Sequence, residues 1–217
     1  MYRKWMDYQS GLEVIPVELP GNGCRSQEEY NYNFTDVAEQ VSKEIFNFAQ
    51  DRCIILYGHS MGAALAFLVC SQLEQKYRCE VQALIAAGRH APDYDFKDRY
   101  HTSMGYERLA EELIRIGGTP EEFFQDPDIL NFMLRRVWND YKLNESFEYN
   151  NEIIKAQVFV HYGKTDEDAS LNMVTGWKQL TENECTVKGF AGNHFFPLDP
   201  TLDYFQEILK LPVIVRE

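Results

Sequence analysis

The sequence predicts an α/β fold, a mostly parallel sheet covered by helices on both faces. Three observations carry this expectation. Short apolar runs alternate with longer segments of helical character along most of the 217 residues. One such run leads directly into Gly58-His59-Ser60-Met61-Gly62 and then an unbroken alanine-rich segment, the pattern of strand, sharp turn and helix. Residues 89–150 contain helical patterns and no convincing strand, so they read as an insertion between two strands of one sheet.

The elements follow in order. Residues 2–9 read as the tail of a helix ending near Gly11. Val14 to Leu19 reads as a strand closed by Pro20-Gly21-Asn22-Gly23. Asp36 with Glu39 resembles a capping box that opens a helix to about Gln50. Ile54 to Tyr57 is the strand before the turn, and the helix behind it runs to about Arg78. Val81 to Ala87 is a buried strand by length and composition, broken at Gly88. Inside the insertion, Glu107 to Ile116 is helical in pattern. Thr119-Pro120-Glu121-Glu122 is a helix start with proline at the first helical position. Asp126-Pro127 opens a longer helix to about Asn144. Gln157 to Tyr162 is then a strand, Asp168 to Leu180 a helix, Cys185 to Phe190 a strand and Pro200 to Lys210 a last helix. One domain spanning 1–217 is expected, with 89–150 inserted in it.

Hydrophobic residues make up 45% of the chain and charged residues 25%, as in an ordinary soluble domain. No apolar run approaches the roughly 20 residues a membrane span needs, and Met1 to Asp7 shows no signal-peptide core. The five cysteines form an odd count without metal-like spacing. Cys53 and Cys70 fall in apolar surroundings and read as core residues. A reduced, cytoplasmic protein is expected. The net charge of −13 argues against nucleic acid or an anionic membrane as a partner.

The turn carries the chemistry. A serine at the apex of a strand-to-helix turn sits in a strained conformation with its hydroxyl pushed outward, and small neighbours such as Gly58, Gly62 and Ala63 suit that turn. Ser60 is therefore the candidate nucleophile. The backbone amide of Met61, just after it, is a candidate oxyanion donor at a helix N-terminus. In the α/β-hydrolase arrangement an acid and a base follow in the order Ser, Asp, His. His194 lies between the last strand and the last helix, where the base belongs. His59 sits inside the turn and would point away from the hydroxyl, His161 lies within a strand, and His90 and His101 fall at the mouth of the insertion. For the acid, Gly163-Lys164-Thr165-Asp166 follows a strand end, where sites assemble in open α/β sheets. Asp166 is the candidate, with Asp168 as fallback. After Val81 to Ala87 stand Gly88 and Arg89, with Asp93 farther on, which disfavours an acid there. Phe123, Phe124, Phe132, Met133, Trp138, Tyr141 and Phe147 in the insertion either pack its helices or line an acyl pocket.

Several segments together go beyond this general pattern: Leu19-Pro20-Gly21-Asn22-Gly23-Cys24-Arg25, Gly58-His59-Ser60-Met61-Gly62, Ala87-Gly88-Arg89-His90-Ala91-Pro92, Gly163-x-x-Asp166 and Gly192-x-His194-Phe195-Phe196. Over nearly the whole chain they resemble the type II, stand-alone thioesterases of nonribosomal peptide and polyketide synthesis, members of the α/β-hydrolase superfamily. The resemblance implies removal of aberrant or stalled acyl groups from the phosphopantetheine arm of acyl or peptidyl carrier proteins. It implies a triad of Ser60, Asp166 and His194, a helical lid at 89–150, and no metal or dissociable cofactor, since the phosphopantetheine belongs to the substrate. A monomer is expected. The family's first strand and its glycine-containing oxyanion loop have no counterpart in these residues. Other readings on the same residues are a small-molecule esterase or acyltransferase, and a catalytically impaired carrier-protein-binding module.

Overall fold

Four parallel strands form one sheet in the order β1 (Ile54–His59), β2 (Val81–Ala87), β3 (Gln157–Gly163) and β4 (Cys185–Phe190). The structure is a computed structural model that describes residues 2–8, 10–50 and 52–214. Successive residues of a strand face opposite sides of a sheet, and both sides are covered here. On β2, Leu84 and Ala86 join the cluster on one face, while Ala83, Ile85 and Ala87 join the other. On β3, Val158 and Val160 face the first cluster and Phe159 the second. This two-sided burial explains why β2 and β3 read as largely apolar runs, whereas the outer strand β4 keeps Thr186 and Lys188 exposed.

Helices α1 (Phe34–Ala49) and α2 (Met61–Gln75) cover the first face. Phe34, Val37, Ala38 and Val41 are the buried stripe of α1, at the spacing of one helical face. Helix α2 lies deep enough to bury Ala63 through Ser71 without a break, hence its unbroken apolar sequence. The second face is closed by α6 (Tyr204–Leu209) and by Trp5 of the 3₁₀ helix Tyr2–Asp7, whose ring stacks on Phe205 at 4.9 Å. Between β2 and β3 stand α3 (Gly105–Ile116) and α4 (Pro127–Asn144), with no strand among the described residues there. They share a cluster of their own around Tyr100, Leu109, Leu113 and Leu134, and Phe124, Met133, Trp138 and Tyr141 pack on it. Three of the six aromatic residues noted in this segment, with Met133, thus serve its own packing. Phe147 packs on the main core instead, and Phe123 and Phe132 are exposed. No helix among the described residues is long and apolar enough to cross a membrane.

Several expected elements are corrected. Val14 to Leu19 is not a strand. Ile15 and Val17 are about half exposed, while Val14 packs on one cluster and Leu19 on the other. The alternation is strand-like, but a strand needs a ladder partner, and among the described residues none pairs with it or with the outer edge of β1. The cap of α1 is Asn33, whose side chain accepts from the Asp36 amide at 3.1 Å. Asp36 therefore sits inside the first turn rather than at the cap. The start at Thr119-Pro120 yields only the 3₁₀ turn Glu121–Phe124, because Asp126 caps the next helix immediately and the residue before Pro127 avoids helical geometry. The expected helix Asp168 to Leu180 is α5 (Leu171–Val174) continued by the 3₁₀ stretch Thr175–Gln179. The first helix is the 3₁₀ helix Tyr2–Asp7, and residue 9 of its expected span lies outside the described residues. Cys53 is exposed rather than core, while Cys70 is buried, and all five cysteines are free.

Candidate active site

Ser60 stands between β1 and α2 with φ +54° and ψ −123°, a left-handed conformation that non-glycine residues rarely adopt. Two features hold it there. Its amide donates to the Ala87 carbonyl at the end of β2, at 2.8 Å. Gly58 lets the strand pass against the helix start, since a Cβ there would lie 2.0 Å from the Gly62 carbonyl oxygen. Met61 is the first residue of α2, where amides have no partner within the helix and the helix dipole favours negative charge.

The loops after β3 and β4 bring Asp166 and His194 together. His194 Nδ1 donates to Asp166 Oδ2 at 2.9 Å, and both side chains are buried. With that proton on Nδ1, Nε2 keeps its lone pair. The other carboxylate oxygen, Oδ1, accepts from the Asp168 amide at 2.9 Å. The fallback acid Asp168 has a different partner: its side chain pairs with Arg115 of α3 at 2.5 Å.

Two strand ends, those of β3 and β2, separate His194 from the turn at Ser60, because β1 and β4 are the two outer strands of the sheet. The loop crosses that gap at two glycines. At Gly163, a Cβ would lie 2.1 Å from the Asn193 carbonyl oxygen and 2.7 Å from that of Gly192. At Gly88, a Cβ would lie 2.8 Å from His59 Nε2 and 3.5 Å from the His194 carbonyl oxygen. The crossing ends on His59. Its Nε2 donates to the His194 carbonyl at 2.8 Å, and the two rings lie 4.9 Å apart. Burial first, and His194 second, push the His59 imidazole down to about 4, so it is neutral at pH 7. His59 therefore ties the loop of His194 to the residue before Ser60. Sequence reasoning missed this role; its position beside the serine was the available signal.

The other histidines are structural. His161 is hydrogen-bonded to the Tyr204 hydroxyl at 2.8 Å, and burial holds it near 4. His90 Nδ1 donates to the Ala91 carbonyl at 3.0 Å and stacks on Phe96. His101 caps the 3₁₀ turn Thr102–Met104. Arg89 bridges the helical segment to the sheet: it donates to Asn144 of α4 at 2.9 Å and lies over Phe147. Burial pushes its guanidinium down to about 10. Arg136 reaches back from α4 to Asn22, at 3.1 Å.

A half-buried serine on a strained turn, a helix N-terminus behind it and a buried histidine–carboxylate pair are parts a site for acyl transfer needs. The family model described as "Thioesterase domain" matches residues 1–210. The chain is 30% identical to the gramicidin S biosynthesis protein GrsT of Aneurinibacillus migulanus over 200 residues, which cover 92% of this chain and 78% of that one. It is 28% identical to the thioesterase PikA5 of Streptomyces venezuelae, covering 94% and 73% of the two chains. Among solved structures, YbtT, the type II thioesterase of the yersiniabactin NRPS/PKS pathway, superposes with a TM-score of 0.83 at 27% identity, covering 96% of this chain and 86% of that one. The architecture is that of an α/β hydrolase.

Proposed function

Because the chain belongs to the thioesterase family, we propose that it removes aberrant or stalled acyl and aminoacyl groups from the phosphopantetheine arm of carrier proteins in nonribosomal peptide or polyketide synthesis. Ser60 is the nucleophile in this reading, His194 the base and Asp166 the acid that orients it. His194 Nε2 takes the Ser60 proton as Oγ attacks the thioester carbonyl. The Met61 amide stabilises the oxyanion. The tetrahedral species collapses, the C–S bond breaks, and the proton on His194 passes to the departing pantetheine sulfur. Water, deprotonated by His194, then attacks the acyl-serine ester. The acid leaves and Ser60 recovers its proton. The chain's own residues complete both steps without a dissociable cofactor, and the residues at 89–150 form a lid over the site.

What supports the reading is the 2.9 Å hydrogen bond between buried Asp166 and His194, tied through His59 to the residue before Ser60. The test is acyl release from an acetyl- or aminoacyl-loaded carrier protein. Wild type is expected to release the acyl group, and Ser60→Ala and His194→Ala to lose release by about 10³-fold or more. Full release by either variant would sink the mechanism. Release from simple oxygen esters but not from pantetheine thioesters would favour an esterase of the same fold.

A further inference from the structure

Asp166 is followed at once by two more acids, Glu167 and Asp168, and each meets an arginine from the segment between β2 and β3. Arg99 donates to Glu167 at 2.9 Å and Arg115 to Asp168 at 2.5 Å. The two pairs differ in weight. Arg99 and Glu167 are 49% and 64% exposed, and such surface pairs contribute little. Arg115 and Asp168 are 26% and 19% exposed. The Arg115 guanidinium is also held flat against Glu112, one turn earlier, through Nε at 2.8 Å and Nη2 at 2.6 Å. A fork fixed by one carboxylate and aimed at a second is a directed contact rather than a loose one.

The same end of α3 also touches the loop that carries His194. A Cβ at Gly117 would stand 3.0 Å from Asn193 Nδ2, and one at Gly118 would stand 2.4 Å from the Phe195 ring. One helix end thus rests on the loops of both the acid and the base. The connection continues inward, since the Asp168 amide donates to Asp166 Oδ1 and Asp166 Oδ2 accepts from His194.

Resting on the triad reading above, we infer that Arg115 is a positioning residue. It latches α3 onto the Asp166–Asp168 loop and, through the Asp168 amide, fixes the carboxylate that orients His194. Seating of the helical segment and readiness of the base are then one event.

Wild type, Arg115→Gln, Arg115→Lys, Asp168→Asn, the double variant Arg115→Gln/Asp168→Asn, and Ser60→Ala are compared. Three readouts are used: kcat and KM for an acyl-pantetheine thioester, the rate of serine labelling by a small fluorophosphonate, and hydrogen exchange of the Asp168 amide. Arg115→Gln is expected to lower kcat by up to about 100-fold with KM unchanged, as for a slightly misplaced catalytic group. Labelling should slow by a similar factor and the Asp168 amide should exchange faster. Arg115→Lys should recover part of the loss, and the double variant should be no worse than the worse single one. If Arg115→Gln fails to fold, the near-isosteric Asp168→Asn carries the same expectations. A variant that melts earlier yet labels at the wild-type rate overturns the inference, because the pair would then be structural only. Hydrolysis by Ser60→Ala would instead overturn the nucleophile assignment.

Discussion

The two glycines flanking the serine look equivalent in sequence, but their surroundings predict opposite effects on substitution. A Cβ at Gly58 would lie 2.0 Å from the Gly62 oxygen, 2.3 Å from the Gly62 carbonyl carbon and 2.6 Å from Ala63 Cα. All three are backbone atoms of the turn and of α2, so no flexible side chain can yield. Ordinary contact begins near 3.4 Å, and the shortfall, 3.4 minus 2.0, is 1.4 Å. Gly58→Ala must separate β1 from α2 by about that distance. Overpacking of this kind costs about 1–3 kcal/mol, and a displacement near 1 Å at Ser60 can lower the rate by about 100-fold. A Cβ at Gly62 would meet nothing within 4 Å, and the residue lies inside a helix, where alanine gains about 1 kcal/mol over glycine. Gly62→Ala should therefore raise the melting temperature by roughly 2–4 °C, and Gly58→Ala should lower it by more than that. Calorimetry of both variants, with fluorophosphonate labelling of Ser60, measures stability and serine reactivity separately. Wild-type melting and labelling in Gly58→Ala would refute the steric reasoning, as would an equal loss of stability in the two variants.

Two further predictions concern pH. His59, His90 and His161 are buried, and burial holds all three near 4. The unfolded chain binds protons on these rings near pH 6.5, whereas the fold resists them down to about 4. Stability should therefore fall as pH drops from 6.5 towards 4, with uptake of up to about three protons on unfolding; urea midpoints across that range measure it, and a flat profile would contradict the burial of these rings. Asp140 has the opposite sign. Burial raises its carboxyl to about 6, against the pull of Arg136 and a hydrogen bond from Asn22. Its ionised form disfavours the fold above pH 6, and the penalty fades as pH falls towards 3.8. Asp140→Asn should melt higher than wild type at pH 7.5 and together with it near pH 3.5; a lower melting temperature at pH 7.5 would show that Arg136 outweighs burial.

The sheet was legible because its signals are local. Apolar runs buried on both faces cannot be mistaken for surface, and β1, β2 and β3 stand where those runs lie; β4 stands where its short run was read, but keeps Thr186 and Lys188 exposed. Helix α4 was legible for a similar reason, with Asp126 and Pro127 marking its start. Val14 to Leu19 shows where local reading ends: the alternation is present, but a strand is defined by its neighbour, and no pattern within six residues reveals one. The cap of α1 was misplaced by three residues because Asn33 and Asp36 both suit the role, and only the backbone path decides between them. At the site, the position of His194 and Asp166 after their strands followed from topology. The contact of His59 with the His194 carbonyl and the grip of Arg115 on Asp168 did not, because each joins residues far apart in sequence through loops whose course no periodicity describes.

The passage of the loop after β4 over Gly163 and Gly88 divides the molecule by what it can tolerate. At Gly163 the clearance is set by backbone alone, and at Gly88 first by the His59 ring, so a side chain at either point presses on the contacts that hold the His194 loop. Neither glycine needs to touch a substrate for its replacement to disturb that loop. The helices between β2 and β3 are different, since they carry their own cluster around Leu109 and Leu134. Their exposed residues, such as Ile114 and Phe132, can be exchanged while that cluster and the strand ends stay as they are. A laboratory varying this segment should randomise exposed positions of α3 and α4, sparing Glu112, Arg115, Arg136 and Asn144, and leave the glycines at the strand ends alone. Libraries that mutate both regions together confound a shift of the His194 loop with changes in the helices.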